Sequence, residues 1–164
     1  MNNQKKIKLL LVDDEINFLQ PIAERLSLKD FDVITASNGK EAITSAENDL
    51  FDVAVVDFQM PGMDGTQVLK LLKERHKYLE IIMLTGQATI DSAVEATKLG
   101  AFKYLEKPYD FEKLVEVIKE AYETRLKKKF EHNQHRMDEI QKLSFGHSPL
   151  GILRALADLD NEEK

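Results

Sequence analysis

Two spacings of hydrophobic residues alternate along the first 126 residues of the chain. Short runs rich in β-branched residues predict five strands, at residues 8–12, 33–36, 53–56, 81–84 and, more weakly, 102–105. Between these runs, apolar residues recur at every third or fourth position, which predicts helices. Asn-Gly, Pro-Gly and single Gly residues mark several of the joins. The pattern therefore predicts a regular alternation of strand and helix.

This alternation determines the predicted fold. A strand followed by a helix and another strand favours a right-handed crossover and a parallel sheet covered on both faces. The first, third and fourth runs are almost wholly apolar, as interior strands are. We predict an α/β fold, a doubly wound five-stranded parallel sheet of order 2-1-3-4-5 with five helices. This flavodoxin-like domain is expected to carry a C-terminal helical extension.

Composition and charge narrow the classes of function. The net charge of −6 argues against a direct nucleic-acid partner, which requires a basic face. The chain has no cysteine, so disulfides and thiolate metal sites are excluded. No apolar run is long enough to cross a bilayer, and the polar N-terminus is unlike a secretory signal. We therefore expect a cytoplasmic protein without a membrane partner.

The candidate chemistry lies where the predicted strands end. Asp13 and Asp14 follow the first strand, Asp57 the third, Thr85 the fourth and Lys107 the fifth. In a doubly wound sheet these carboxyl ends share one edge, where ligands bind. Two like charges about 4 Å apart near a surface repel by about 4 kcal/mol, so the acids need neutralisation. Lys107 supplies one positive charge, and an all-oxygen site with few protein ligands suits Mg²⁺.

Such a site is suited to phosphoryl transfer. Asp57, presented alone by a rigid strand, is the best candidate for a nucleophile that forms an aspartyl phosphate. The adjacent Asp13 and Asp14 are better suited to holding a cation, and Thr85 and Lys107 to contacting phosphoryl oxygens. Each residue also has a plainer interpretation. Asp14 or Thr85 could cap the next helix, and Lys107 could be a surface lysine.

The motifs at these positions resemble those of a known family. They are "VDDE" after the first strand, "DFQMPGMDG" around Asp57, "LTG" ending in Gly86, and "EKP" at 106–108. In order and spacing they resemble the receiver domain of bacterial response regulators in two-component signalling, over residues 7–123. The stretch after Gln87 is most similar to receivers of nitrogen-regulation-type activators. No G-x-x-x-x-G-K-[ST] segment follows, so we expect a stand-alone receiver or a piece of a larger regulator.

The resemblance implies a role for each matching residue. Asp57 would be the phosphoacceptor, and Lys107 would contact the phosphoryl group. Asp14 would bind Mg²⁺ directly and Asp13 through water, while Gln59 would offer its backbone carbonyl to the metal.

The resemblance also implies a conformational switch. Thr85 and Tyr104 would form the switch pair, and Pro108 would follow a cis peptide bond. The family usually has Ala where this chain has Gly86, which is expected to loosen that loop. Phosphorylation would change the surface formed by the fourth helix, fifth strand and fifth helix, at residues 88–99, 104 and 111–121.

The expected function is therefore that of a phosphoacceptor rather than an enzyme. A sensor histidine kinase or phosphotransfer protein would donate the phosphoryl group, and an unidentified protein would receive the signal. Two alternatives differ in class. A phosphorylation-independent module could act through the C-terminal helices. An aspartyl-phosphate phosphatase would need an acid two residues after the nucleophile, where Gln59 stands.

The C-terminal quarter is expected to be helical. We divide the chain into a receiver at 1–123, an extension of the fifth helix at 124–147, and a short amphipathic helix with an acidic tail at 148–164. Ser148 and Pro149 resemble an N-cap and first helical residue. Apolar residues continue along the extension without a clean heptad, so both a homodimer and a monomer remain possible.

Overall fold

The predicted topology is confirmed by a computed structural model, which describes residues 5–87, 89–144 and 149–162. Five parallel strands lie in the order β2-β1-β3-β4-β5. Six helices accompany them within the described residues. The strands are β1 Ile7–Val12, β2 Phe31–Ala36, β3 Val53–Asp57, β4 Glu80–Thr85 and β5 Lys103–Glu106. The helices are α1 Ile16–Ser27, α2 Gly39–Asn48, α3 Gly65–Arg75, α4 Ile90–Lys98, α5 Phe111–Ser144 and α6 Pro149–Glu162.

Two hydrophobic cores lie on opposite faces of the sheet, because successive side chains of a strand point to opposite sides. Leu9 and Leu11 of β1 pack with α1 and α5, whereas Leu10 and Val12 pack with α2, α3 and α4. Strands β3 and β4 are buried along their whole length. This double cover explains why the central strands read as continuous apolar runs.

Helix α4 is the least buried helix of the receiver. Ala96 is its one fully buried residue, while Ile90 is 84% exposed and Val94 is 45% exposed. By contrast, α3 buries Gly65, Val68, Leu69 and Leu72. Few buried contacts mean that local movement of α4 costs less free energy than movement of its neighbours.

Helix α5 continues far past the sheet. It is a single helix of 34 residues, and Ala121 is the last of its buried core residues. Helix α6 packs back against it. It extends to Glu162 and so includes most of the acidic segment predicted as a tail. The predicted N-cap, Ser148, lies outside the described residues, as does Ala88 of the predicted switch surface. Within the described part of the chain, no helix is long and apolar enough to cross a membrane.

Candidate functional site

Three aspartates meet at the carboxyl edge of the sheet. Asp57 is the last residue of β3, and Asp13 directly follows β1, which lies beside β3. Both are almost completely buried, whereas Asp14 is half-buried. One carboxylate oxygen from each of the three lies within 4.8 Å of the others. The parallel pairing of β1 with β3 thus brings together acids separated by more than forty residues of sequence.

Lys107 reaches into this cluster from the end of β5. Its Nζ donates a hydrogen bond to Asp13 Oδ2 at 2.9 Å and lies 3.9 Å from Asp57 Oδ2. The ammonium also lies 4.5 Å from the centre of the Phe18 ring, within cation–π distance. Its side chain is only 18% exposed, which excludes the interpretation of Lys107 as an ordinary surface lysine.

A single lysine does not neutralise the acids. Burial and, after it, the charge of Asp13 together raise the pKa of Asp57 to about 7, while Lys107 opposes the shift. Backbone amides give only limited compensation. The Gln59 N–H donates to Asp57 Oδ1 at 3.4 Å, and the Glu15 N–H donates to Asp13 Oδ1 at 3.0 Å. The site therefore keeps an unmet demand for positive charge.

The donor set fits a hard divalent cation. All three converging side chains offer carboxylate oxygens, the ligands that Mg²⁺ prefers, and a few carboxylates are typical of its protein sites. A cation there would also relieve the repulsion that raises the pKa of Asp57. Asp13, Asp14 and Asp57 are thus the residues able to hold the metal. The Gln59 backbone directly follows this edge, and its exposed position leaves its carbonyl as a further candidate ligand.

Thr85 lies at the same edge. It is the last residue of β4, is completely buried, and is the neighbour of Glu106 in the pairing of β4 with β5. Its hydroxyl oxygen accepts a hydrogen bond from the Gln87 N–H at 3.2 Å. The hydroxyl donates no hydrogen bond within the described residues, so it can donate to a ligand oxygen at this edge of the sheet.

Tyr104 lies outside this cluster. It pairs with Met83 in the sheet, and its half-buried ring packs edge-on against Phe58 at 6.1 Å. Its hydroxyl shares a hydrogen bond of 2.8 Å with Ser92 on α4. The structure therefore connects Tyr104 to α4 rather than joining it to Thr85 by a hydrogen bond.

The helix caps exclude the plainer interpretations of Asp14 and Thr85. Helix α1 begins after Glu15, whose side chain makes no capping hydrogen bond. Helix α4 is capped by Thr89, which forms a reciprocal capping box with Ser92. Neither Asp14 nor Thr85 occupies a cap position. The Lys107–Pro108 peptide bond is cis, and Pro108 itself is exposed.

Gly65 was not recognised from the sequence as part of the site. A Cβ at this position would lie 2.7 Å from the Phe58 Cα and would also collide with the Asp57 carbonyl oxygen. The Gly65 N–H donates to the Phe58 carbonyl at 3.0 Å. Only glycine lets α3 begin this close to the end of β3. The "DG" that closes the motif around Asp57 is the available sequence signal.

Tyr109 was also missed. Its ring packs edge-on against Phe18 at 6.1 Å, and burial raises its pKa to about 12, with Asp13 and Asp57 adding to the shift. Its buried hydroxyl has no hydrogen-bond partner within the described part of the chain. No local pattern marks this residue, because its proximity to the acids arises from the return of the chain after β5.

Comparison with known proteins agrees with this geometry. The family model described as the response regulator receiver domain matches residues 9–119. The DNA-binding transcriptional regulator NtrC of Salmonella typhimurium is 35% identical over 111 residues, which is 68% of this chain and 24% of NtrC. The chain spans about a quarter of the length of the curated regulators that it matches first.

Solved structures give the same picture. A response regulator receiver domain protein (CheY-like) from Methanospirillum hungatei superimposes with a TM-score of 0.73 at 29% identity, over 76% of this chain and 99% of that one. A chain of the CheX-CheY-BeF3-Mg+2 complex from Borrelia burgdorferi superimposes with a TM-score of 0.67 at 25% identity, over 71% and 89% of the two chains.

Proposed function

The chain belongs to the response regulator receiver domain family of two-component systems, and from this premise we propose that Asp57 is its phosphoacceptor. A receiver is a signalling module rather than a classical enzyme. The observation that carries the assignment is the convergence of three carboxylates with one buried lysine at the carboxyl edge of the sheet. The phosphoryl donor would be a sensor histidine kinase or a phosphotransfer protein, in the cytoplasm.

The proposed reaction assigns a task to each side chain. An Asp57 carboxylate oxygen attacks phosphorus, the phosphorus–nitrogen bond of a phosphohistidine breaks, and the departing imidazole nitrogen takes up a proton. Strand β3 holds the nucleophile in place, which is the main requirement of phosphoryl transfer. The Lys107 ammonium and the Thr85 hydroxyl are placed to donate hydrogen bonds to phosphoryl oxygens at this edge.

We assign metal binding to Asp13, Asp14, Asp57 and the Gln59 carbonyl. A bound Mg²⁺ supplies neutralising charge for the acids and for a phosphoryl group. A similar chain comes from a CheX-CheY-BeF3-Mg+2 complex, which supports a Mg²⁺ site in this fold. The 2.9 Å hydrogen bond from Lys107 to Asp13 would hold the Lys107 ammonium beside Asp57.

The proposed output surface is formed by α4, β5 and α5. Phosphorylation adds about −1.5 to −2 charge at one edge of the sheet. It shifts the conformation only if Thr85 and Lys107 contact the phosphoryl group better in one state. Movement of Thr85 would disturb β4 next to Tyr104, whose hydroxyl is bonded to Ser92 of α4. The sparse packing of α4 makes it the element that responds most easily.

Phosphorylation of the full chain tests the acceptor. With Mg²⁺ and a phosphorylated histidine kinase or acetyl phosphate, the wild type should take up one acid-stable, base-labile phosphoryl group. Asp57→Asn should abolish the label. Asp138→Asn removes the same charge from an exposed position on α5 and should retain it. Label that persists in Asp57→Asn would refute the assignment, and loss of label in both variants would point to a damaged fold.

Association with another protein chain through the helical extension, formed by the end of α5 and by α6, is a second candidate role. Leu126, Phe130 and Met137 of α5 are 49–63% exposed, and Leu150 and Leu153 of α6 are 60% and 63% exposed. Such side chains suit a homodimer or a downstream protein. Light scattering measures the molar mass with and without Mg²⁺ and beryllofluoride, and so distinguishes phosphorylation-controlled from phosphorylation-independent association. A mass that changes with beryllofluoride supports a phosphorylation-controlled surface, and an unchanged dimer supports phosphorylation-independent association.

A further inference from the structure

A cavity of about 520 Å³ lies at the edge of the sheet opposite to the acidic cluster. Its walls come from the loop between α2 and β3, the loop between α3 and β4, and the part of α5 just beyond the receiver core. The residues that define it are Leu50, Phe51, Lys77, Tyr78, Lys129 and His132. The volume falls in the range of small-ligand sites, about 300 to 1,000 Å³. The cavity exists because α5 continues past the sheet.

The wall of this cavity carries a surplus of positive charge although the chain has a net charge of −6. Arg75, Arg125 and one acid, Asp49, also line it, but they pair with Glu47, Asp52 and Lys8 respectively. Among residues 5–87, 89–144 and 149–162, no carboxylate lies within 4 Å of the Lys77 or Lys129 ammonium groups. These two ammonium groups are therefore available to an anion.

The floor of the cavity is apolar and partly aromatic. Phe51 is buried, and Leu50 is 75% exposed beside it. The Tyr78 and His132 rings lie 5.6 Å apart at an interplanar angle of 55°. An aromatic ring packs well against such tilted rings. Burial lowers the pKa of His76, which also lines the cavity, and Arg75 and Arg125 act in the same direction against the smaller opposing effect of Glu47.

We propose that this cavity binds a small aromatic anion, with the anionic group at Lys77 and Lys129 and the ring over Leu50, Phe51 and Tyr78. Charge-assisted hydrogen bonds from two lysines would fix the anion, and burial of the ring would add apolar contact. The ligand would bridge the α3–β4 loop and α5. Occupancy would therefore hold the first turns of the helical extension against the receiver.

This proposal does not rest on phosphorylation, and its test avoids that chemistry. Phenylphosphonate is a suitable probe, because its carbon–phosphorus bond cannot donate a phosphoryl group to Asp57. Methylphosphonate keeps the charge without the ring, and benzamide keeps the ring without the charge. The full chain, labelled with ¹⁵N and free of Mg²⁺, would be titrated with each compound by NMR.

Phenylphosphonate should produce saturable shifts in the backbone amides of residues 75–79 and 129–133. Methylphosphonate and benzamide should each bind at least about fivefold more weakly, because each lacks one of the two contacts. Shifts confined to residues around Asp57 and Lys107 would overturn the proposal. So would equal affinities for all three compounds, or an absence of saturation.

Matched lysine variants identify the contact. Lys77→Gln and Lys129→Gln should each weaken phenylphosphonate binding by about 5- to 10-fold, the loss of one charge-assisted contact. Lys127→Gln, with the same change of charge two residues away and outside the cavity, should leave the affinity unchanged. An equal loss in the Lys127 variant would mean general attraction to the helix and would contradict a defined site.

Discussion

The buried carboxylates of the acidic site, Asp13 and Asp57, lower the stability of the fold. Asp57 is 4% exposed and shares its surroundings with Asp13, and the single Lys107 compensates only part of the charge. A carboxylate in such a place is retained for what it does rather than for what it stabilises. The stability of the chain should therefore report on the site.

Replacement of Asp57 should stabilise the metal-free protein in a pH-dependent way. The folded-state pKa of about 7 lies above the ordinary value of 3.8, so the folded state binds more protons between these pH values. Stability is thus lost as pH rises from about 4 to about 7. Asp57→Asn lacks this loss and should be more stable than the wild type by about 2 to 4 kcal/mol at pH 8, but by little at pH 4.5.

Urea unfolding with EDTA at the two pH values measures this difference. Asp138→Asn, an exposed acid on α5, is the control and should show no such pH dependence. Saturating Mg²⁺ should stabilise the wild type more than Asp57→Asn at pH 8, because the metal binds the folded acids. Equal stabilities of wild type and Asp57→Asn at pH 8 without metal would contradict the account of the site's charge.

Two glycines near the site should respond in opposite directions to the same substitution. Gly65→Ala should destabilise the fold by about 2 kcal/mol or more, because its Cβ would press on the backbone of Asp57 and Phe58. A Cβ on Gly86 meets no atom within 4 Å, and its φ is not positive. Gly86→Ala should therefore stabilise by about 0.4 to 1 kcal/mol through the unfolded chain. Thermal and urea unfolding of both variants give the comparison.

Individual elements show which features a sequence reveals. The strands and their order were predicted, because β-branched runs and their separation by amphipathic segments are local signals. The convergence of Asp13, Asp57 and Lys107 followed from that order. Three features could not be predicted in this way: the hydrogen bond between Tyr104 and Ser92, the close fit of Gly65, and the position of Tyr109. Each depends on a contact between residues that are not adjacent in the sequence, which leaves no periodic signal.

Helix α5 is attached to the sheet by ion pairs that were also invisible in the sequence. The Arg125 Nε donates to Asp52 Oδ1 at 3.1 Å, and both side chains are less than 15% exposed. The Lys128 Nζ donates to Glu80 Oε1 at 2.8 Å, and Glu80 is buried. These pairs lie beyond Tyr122, the last described residue of α5 that packs against the hydrophobic core.

Loss of the buried pair should loosen this part of α5. Arg125→Met leaves the Asp52 carboxylate with the Lys8 N–H as its remaining hydrogen-bond donor within the described residues, and should cost about 1 to 3 kcal/mol. Lys127→Met, at an exposed position, should change stability by less than about 0.5 kcal/mol. Hydrogen exchange of residues 122–132 should accelerate in the first variant alone. Equal exchange in both would indicate that the pair does not anchor the helix.

At the scale of the whole molecule, the buried hydrophobic core of the described residues lies in the receiver. Its members range from Leu9 to Ala121, which supports the proposed division near residue 123. A chain that ends after Glu131 keeps both ion pairs of α5. It should fold with a stability within about 1 kcal/mol of the full chain and should still take up phosphate. Unfolding of this shorter chain, seen by circular dichroism, would mean that the last fifth of the sequence belongs to the same cooperative unit.

The length of α5 has a mechanical consequence. From Ala121 to Ser144 the helix extends about 35 Å at 1.5 Å per residue, with no break in its hydrogen bonding. A tilt of about 10° at its base displaces its far end by about 6 Å, and α6 with it. The helix would thus act as a lever arm, turning a small change of angle beside the sheet into a displacement of several ångströms at its far end.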